Sequence, residues 1–256
     1  MPVVVSVHGG DVLYTAPRSH AGAAAVARGL GSARLVLANS QGIAELARAH
    51  GAGETRVVHL GADLPAASRP PRPEGPRALV TVGHLIARKR HADVVRALAV
   101  LSQKHPALRY AIVGGGPERV ALEGLAARLG VAARVEFHGQ LPPDGAVALS
   151  QRSTLFVMPS TEEAFGVAYV EAMAGAVPAI GCRGEPGPEE IAAAGDGMVL
   201  VPPGDVERLT QRIDELLCDP HRLREAGQRA RATVAAHFTW ERCGEQTLAA
   251  YEHALG

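Results

Sequence analysis

Between Ser160 and Ile180 the chain reads STEEAFGVAYVEAMAGAVPAI, which sets Glu163 and Glu171 eight residues apart around Phe165-Gly166. The helix expected from Gly166, GVAYVEAMAGA, is apolar nearly all round and so must be a buried element. A carboxylate inside such a helix costs several kcal/mol or shifts its pKa unless hydrogen-bond donors face it. Ribose hydroxyls would serve, and so would an internal arginine. Glu163 has a simpler reading as well, because Ser160-x-x-Glu163 fits a capping box. Phe165-Gly166 fits that box poorly, since glycine in a first helical turn is costly unless something must approach the backbone closely.

Three other stretches carry candidate chemistry. GHLIARKRH, Gly83 to His91, follows a strand and opens a helix, so Arg88, Lys89 and Arg90 cluster where free amide hydrogens and the helix dipole already favour an anion. A phosphate suits that place, and so does a plain solvated basic turn. VHGGD, Val7 to Asp11, puts His8 and Asp11 just past another strand. IVGGGPERV, Ile112 to Val120, ends a strand in three glycines, but a dinucleotide fingerprint starting at Gly114 needs glycine at 119, where Arg119 stands. Those glycines are read instead as a tight turn, either purely structural or passing close to a ligand or to a neighbouring helix.

The elements that must hold these residues alternate between short β-branched runs and longer alanine-rich segments of helical period, the pattern of a parallel sheet with crossover helices. Strands are expected at Val3 to Val7, Arg34 to Ala38 and Arg56 to Leu60, with helices at Ala21 to Leu30 and Gln41 to Ala49. LPAASRPPRPEGP, Leu64 to Pro76, holds five prolines and no apolar period, which marks an interdomain linker. Six further strands follow, ALVTVG, RYAIVG, RVEFHG, TLFVMPS, VPAIGC and GMVLVP, with helices beginning near Lys89, Glu118, Asp144, Gly166, Pro188 and Asp205. Ligands of such a doubly wound domain sit at the carboxyl ends of its strands. The predicted organisation is a partial domain over 1–65, a linker over 66–76, a complete domain over 77–236 and a closing helix over 237–256. Three strands are too few to bury both faces of a parallel sheet alone.

Composition excludes several classes. In 256 residues, 26 basic side chains balance 26 acidic ones, so nothing in the overall field points to nucleic acid. Three cysteines without a Cys-x-x-Cys pair argue against a disulfide framework, and the histidines lack metal-ligand spacing. No apolar run reaches the ~20 residues of a membrane span, and the first residues lack the pattern of a signal peptide, so a cytoplasmic location is expected.

Taken in order, VGHLIARKRH, YAIVGGGPE, VEFHGQL, FVMPSTEEAFGVAYVEAMAGAVPAIG, PGPEEI and VPPGD resemble the retaining glycosyltransferases of the GT-B fold, specifically the large family 4. The resemblance implies a complete C-terminal Rossmann-like domain plus the second half of an N-terminal one, with a final helix crossing back. It implies transfer of a sugar from a nucleotide-diphosphate sugar to an acceptor hydroxyl on a glycan, lipid or small molecule, with no metal cofactor. Carried over by position, Glu163 would hold the donor sugar's hydroxyls and Glu171 the nucleotide ribose. Phe165 is the aromatic of the paired-glutamate motif, and Gly166 and Val167 would offer amides to the diphosphate. Arg88 and Lys89, after Gly83, would neutralise the leaving diphosphate. His8 would lie against the donor sugar, Asp11 near the acceptor, and Glu190 near the sugar or ribose.

Two departures stand out. His84 occupies a place where the family often has arginine. The chain also starts in what resembles mid-domain, roughly 100 residues short of a complete first domain. The implied alternative is a binding module that holds the donor without transferring it. An epimerase of the same architecture is disfavoured by the paired glutamates. Peripheral membrane contact stays open.

Overall fold

The computed structural model describes residues 2–66 and 77–256 of the chain. Of the proline-rich stretch 66–76, all but Ala66 lies outside the described residues. Among these described residues, nine strands fall into two parallel sheets.

The first sheet has the order β1-β2-β3, from Val4–Val7, Leu35–Ala38 and Thr55–Val57. After β1 a π-helical turn, Gly10–Thr15, runs into α1, Ala16–Arg18, and then α2, His20–Gly31. α3, Gln41–Ala49, starts where Ser40 Oγ accepts the amide hydrogen of Ile43, a serine N-cap. The last strand is shorter than Arg56 to Leu60, because His59 and Leu60 leave the sheet.

The second sheet has the order β6-β5-β4-β7-β8-β9. Its strands are β4 (Ala78–Val82), β5 (Arg109–Val113), β6 (Val135–Gly139), β7 (Leu155–Val157), β8 (Ala179–Cys182) and β9 (Met198–Val201). Between them run α4 (His91–Leu101), α5 (Arg119–Arg128), α6 (Pro143–Arg152), α7 (Val167–Ala174) and α8 (Pro186–Ala194). α9 (Val206–Cys218), α10 (Pro220–His237) and α11 (Trp240–Leu255) complete the chain. The central strands are buried almost continuously, as a parallel sheet covered on both faces requires. One core lies under α4 and α9 around Leu98, Tyr110 and Ile213. The other lies under α7 and α10, where Phe156 and Tyr169 meet edge to face at 5.4 Å.

The thin first sheet is completed from the far end of the chain. One face packs on α3 through Val36, Ala38, Ile43 and Ala47. The opposite face is closed by α11, whose Ala250 and Ala254 bury against Leu35, Leu37 and Val58. His253 Nε2 lies 2.7 Å from Glu54, and the Ala62 amide donates to Phe238 O at 2.9 Å, so this return is fixed at both ends. Strand order in the second sheet reverses between β4 and β7, and that switch point opens a crevice at the carboxyl ends.

Candidate active site

The loops leaving β4 and β7 converge at the switch point. The β4 loop reaches the 3-10 turn Ala87–Lys89, then Arg90 takes a left-handed conformation at φ 55° before α4 starts at His91. Arg90 Nε donates to Asp93 at 2.7 Å, and Asp93 is buried and also met by Arg96 at 3.1 Å. The helix thus begins two residues later than the Lys89 start expected from sequence, and Lys89 is turned toward the β7 loop.

Lys89 Nζ lies 2.5 Å from Glu163 Oε2, with both side chains 11% exposed. Ser160 Oγ donates to the same carboxylate at 2.9 Å, and the Glu163 amide donates to Glu185 Oε2 at 2.8 Å. The capping-box alternative at Ser160 does not form: the serine meets the glutamate's side chain, and the helix starts at Val167. The cause is local, since Glu162 sits at φ 55° and Gly166 at φ 82°, neither compatible with a helix running from Ser160. A Cβ on Gly166 would come within 2.5 Å of the Tyr169 ring, which accounts for glycine there. The Phe165 ring stacks on His59 at 5.8 Å and meets Phe238 edge-on at the same distance.

A cleft of about 350 Å³ opens over this pair, and its walls come from both sheets. His8 and Asn39 line it from the first sheet, and Lys89, Glu163, Phe165, Gly166, Val167 and Glu171 from the second. Gly83 stands beside Lys89, where an added Cβ would be 3.6 Å from the lysine Cε. Glu171 is half-buried, and among the described residues its carboxylate has no ion pair or hydrogen bond. Burial, and then the neighbouring Asp63 charge, raise its pKa. It faces both this cleft and a second hollow of about 190 Å³ lined by Asp63, Gln151 and Trp240.

Four predicted residues are not among those lining the cleft: Gly83, beside Lys89, and Arg88, Asp11 and Glu190. Arg88 holds its guanidinium 5.0 Å over the Tyr14 ring and donates to Glu162 O at 3.2 Å. Asp11 Oδ1 accepts from the next amide, that of Val12, at 3.1 Å. Glu190 reaches the first sheet's side, accepting from the Gln41 amide at 2.5 Å and meeting His59 Nε2 at 2.7 Å. The triple glycine packs on the β4 loop: a Cβ on Gly114 would sit 2.0 Å from Gly83 O. Its close approach is to the backbone of the β4 loop, whereas the sequence suggests a ligand or a neighbouring helix.

Several site residues carry no signal in the sequence. Tyr14 donates to Glu162 O at 2.8 Å across 148 residues of chain, and neither His59, inside a predicted strand, nor Asn39, just past another, is singled out by its spacing. His91 is buried with its Nε2–H donating to His84 O at 3.2 Å and its Nδ1 3.2 Å from the Tyr110 hydroxyl, which lies 2.7 Å from Thr81 Oγ1. Burial lowers the His91 pKa to about 4. Beneath Lys89, then, is a neutral imidazole that ties the β4 loop to β5.

Among the described residues, the group able to offer a metal three ligand atoms within 4.8 Å of one another is His105, Asp214 and Cys218. It sits at the opposite end of α4 from the cleft, and Lys104 Nζ already lies 2.6 Å from Asp214. No described helix is long and apolar enough to cross a membrane.

Residues 66–233 match the family described as Glycosyl transferases group 1. A GDP-mannose-dependent alpha-(1-6)-phosphatidylinositol monomannoside mannosyltransferase from Mycolicibacterium smegmatis is 32% identical over 173 residues, 65% of this chain and 45% of that protein. The chain spans about half or less of the length of the curated relatives it matches first. Among solved structures, sucrose-phosphate synthase from Thermosynechococcus elongatus superposes with a TM-score of 0.83 at 28% identity, over 98% of this chain and 67% of that one. HepE from Anabaena, determined with UDP and glucose, gives 0.84 at 23% identity over 98% and 71%. The architecture is that of GT-B glycosyltransferases such as these two.

Proposed function

The chain belongs to the glycosyl transferases group 1 family, and from that premise we propose that its cleft takes a nucleotide-diphosphate sugar and passes the sugar to an acceptor hydroxyl. The observation that carries this reading is the convergence of Lys89 and Glu163 at the sheet's switch point, with Glu171 on the adjoining helix. The proposal assigns the donor diphosphate to Lys89 and to the Gly166 and Val167 amides at the start of α7, where the helix dipole adds positive potential. Glu163 takes the sugar hydroxyls, and Glu171, half-buried and unpaired, takes the ribose. His8 closes the sugar side from the first sheet.

In this reading the leaving diphosphate is stabilised as its charge grows, which is where a fixed ammonium does most for the rate. No metal is required, because Lys89 supplies that charge. Retention at the anomeric carbon, as in family 4, follows if the acceptor attacks on the face the diphosphate leaves, and no cleft side chain is placed as a covalent nucleophile. Arg88 acts through the loop, holding Glu162, and Glu190 acts between the two sheets. The UDP and glucose of HepE and the GDP-mannose in the name of the mycobacterial relative support a nucleotide-sugar donor and leave its base open.

The test is a thermal-shift panel of UDP, GDP and ADP sugars, followed by product assay with the donor that binds. Lys89→Ala should lower turnover by a factor corresponding to about 2–3 kcal/mol, the worth of a charge-assisted phosphate contact. An unchanged rate in that variant refutes the assignment. Donor binding without product from any hydroxyl acceptor would favour the binding-module reading instead.

A further inference from the structure

We infer that the Lys89–Glu163 ion pair is a discriminator, built into the cleft, that favours the intact nucleotide sugar over the nucleoside diphosphate left after transfer. The inference rests on the functional reading above and concerns what the pair does to binding. Its starting point is that the two side chains assigned to opposite ends of the donor are in contact with each other at 2.5 Å.

Neither partner has an adequate substitute. Among the described residues, Lys89 Nζ otherwise meets only the thioether of Met158, at 3.7 Å, and sulfur is a weak acceptor. Among the described residues, Glu163 otherwise keeps one donor at its side chain, the Ser160 hydroxyl, and the residue is 8% exposed, so water does little for it. Removing one member of a buried pair leaves the other uncompensated, which is the costly state.

A nucleotide sugar exchanges both partners together. Its phosphates offer Lys89 an anion, and its sugar hydroxyls offer Glu163 donors. A nucleoside diphosphate offers only the first half: it draws the ammonium away and strands the carboxylate beside its own negative charge. Once the sugar has left, re-forming the pair favours expulsion of the diphosphate. The geometry agrees with such an exchange, because both groups line the same cleft and are delivered by loops pinned to each other, with the Thr161 amide donating to Arg88 O at 2.8 Å. The loops need not move for the side chains to part.

The experiment is a double-mutant cycle in binding. UDP, GDP and ADP, each with and without a hexose, are titrated calorimetrically into the wild type, Glu163→Gln, Lys89→Gln and the double variant. Glu163→Gln should bind the free diphosphate about tenfold tighter than the wild type, and the preference for the sugar-bearing form should shrink by a similar factor. In the Lys89→Gln background the same change should alter diphosphate affinity by no more than about threefold, since no pair remains to break. Equal tightening in both backgrounds would mean simple charge repulsion and overturns the inference, as does no tightening. If Glu163→Gln does not fold, Glu163→Met, of similar volume, carries the same expectation. A wild type that binds none of these nucleotides overturns the functional reading and the inference with it, whereas binding without coupling overturns the inference alone.

Discussion

His91→Gln tests the buried histidine beneath the basic loop. The folded-state pKa is lowered from 6.5 to about 4, chiefly by burial, and the residue is 2% exposed, so the unfolded chain takes up the proton first on acidification. The group therefore contributes its full stability above the unfolded value of 6.5 and loses it as pH falls through the window down to about 4. At about 1.36 kcal/mol per pKa unit, the complete loss is roughly 3 kcal/mol, of which roughly 2 falls between about pH 7 and pH 5. Glutamine can still donate to His84 O and sits within reach of the Tyr110 hydroxyl, but it does not titrate. Urea unfolding at the two pH values should show wild-type stability falling by roughly 2 kcal/mol more than that of the variant, since carboxylate contributions cancel in the comparison. Parallel losses in the two proteins would mean that the imidazole is protonated in the folded state at pH 5, and would refute the account of the loop's support.

Three further outcomes follow from contacts that join the site. Tyr14→Phe keeps the ring under Arg88 but removes the donor to Glu162 O, and should cost about 0.5–1 kcal/mol in urea unfolding; a neutral result would detach Tyr14 from the loop. Gly114→Ala places a Cβ 2.0 Å from Gly83 O at φ 134°, so a loss of about 2–3 kcal/mol is expected, and a melting temperature within about 1 °C of wild type would contradict it. Glu190→Gln weakens the acceptor for the Gln41 amide and His59, and hydrogen exchange at that amide should quicken about tenfold while the β5 amides keep their protection.

Much of this architecture is legible in the sequence because its signals are local. Six apolar runs separated by helical segments become β4 through β9, and the residues singled out after them do gather, with Lys89, Glu163, Glu171 and His8 lining one cleft. Local signals mislead where the backbone is strained. Ser160-x-x-Glu163 has the letters of a cap, but nothing in them reveals that Glu162 turns left-handed, and likewise Arg90 delays a helix that periodicity starts at Lys89. Arg56 to Leu60 looks like one strand because β-branched residues continue, whereas His59 leaves the ladder to stack on Phe165, over a hundred residues away. Contacts at such separation have no counterpart in composition or spacing.

Those long-range contacts also determine what the cleft is made of. The segment from Ser160 to Gly166 presents Glu163 to Lys89, and its two flanks are gripped from the first sheet's side: Tyr14 holds Glu162, and an added Cβ on Gly9 would come within 2.5 Å of the Ala164 Cβ. Phe165 is clamped between His59, just past β3, and Phe238, just before α11. The same His59 meets Glu190, on the helix that follows β8. Separating the two sheets would therefore remove part of the support of the loop that carries Glu163, leaving it to the Arg88 and Glu185 contacts, while Lys89 would stay in place on the β4 loop. Closure of the cleft sets Glu163 in place opposite Lys89, while the two side chains can part within it, so a donor that satisfies both groups together also favours the closed arrangement.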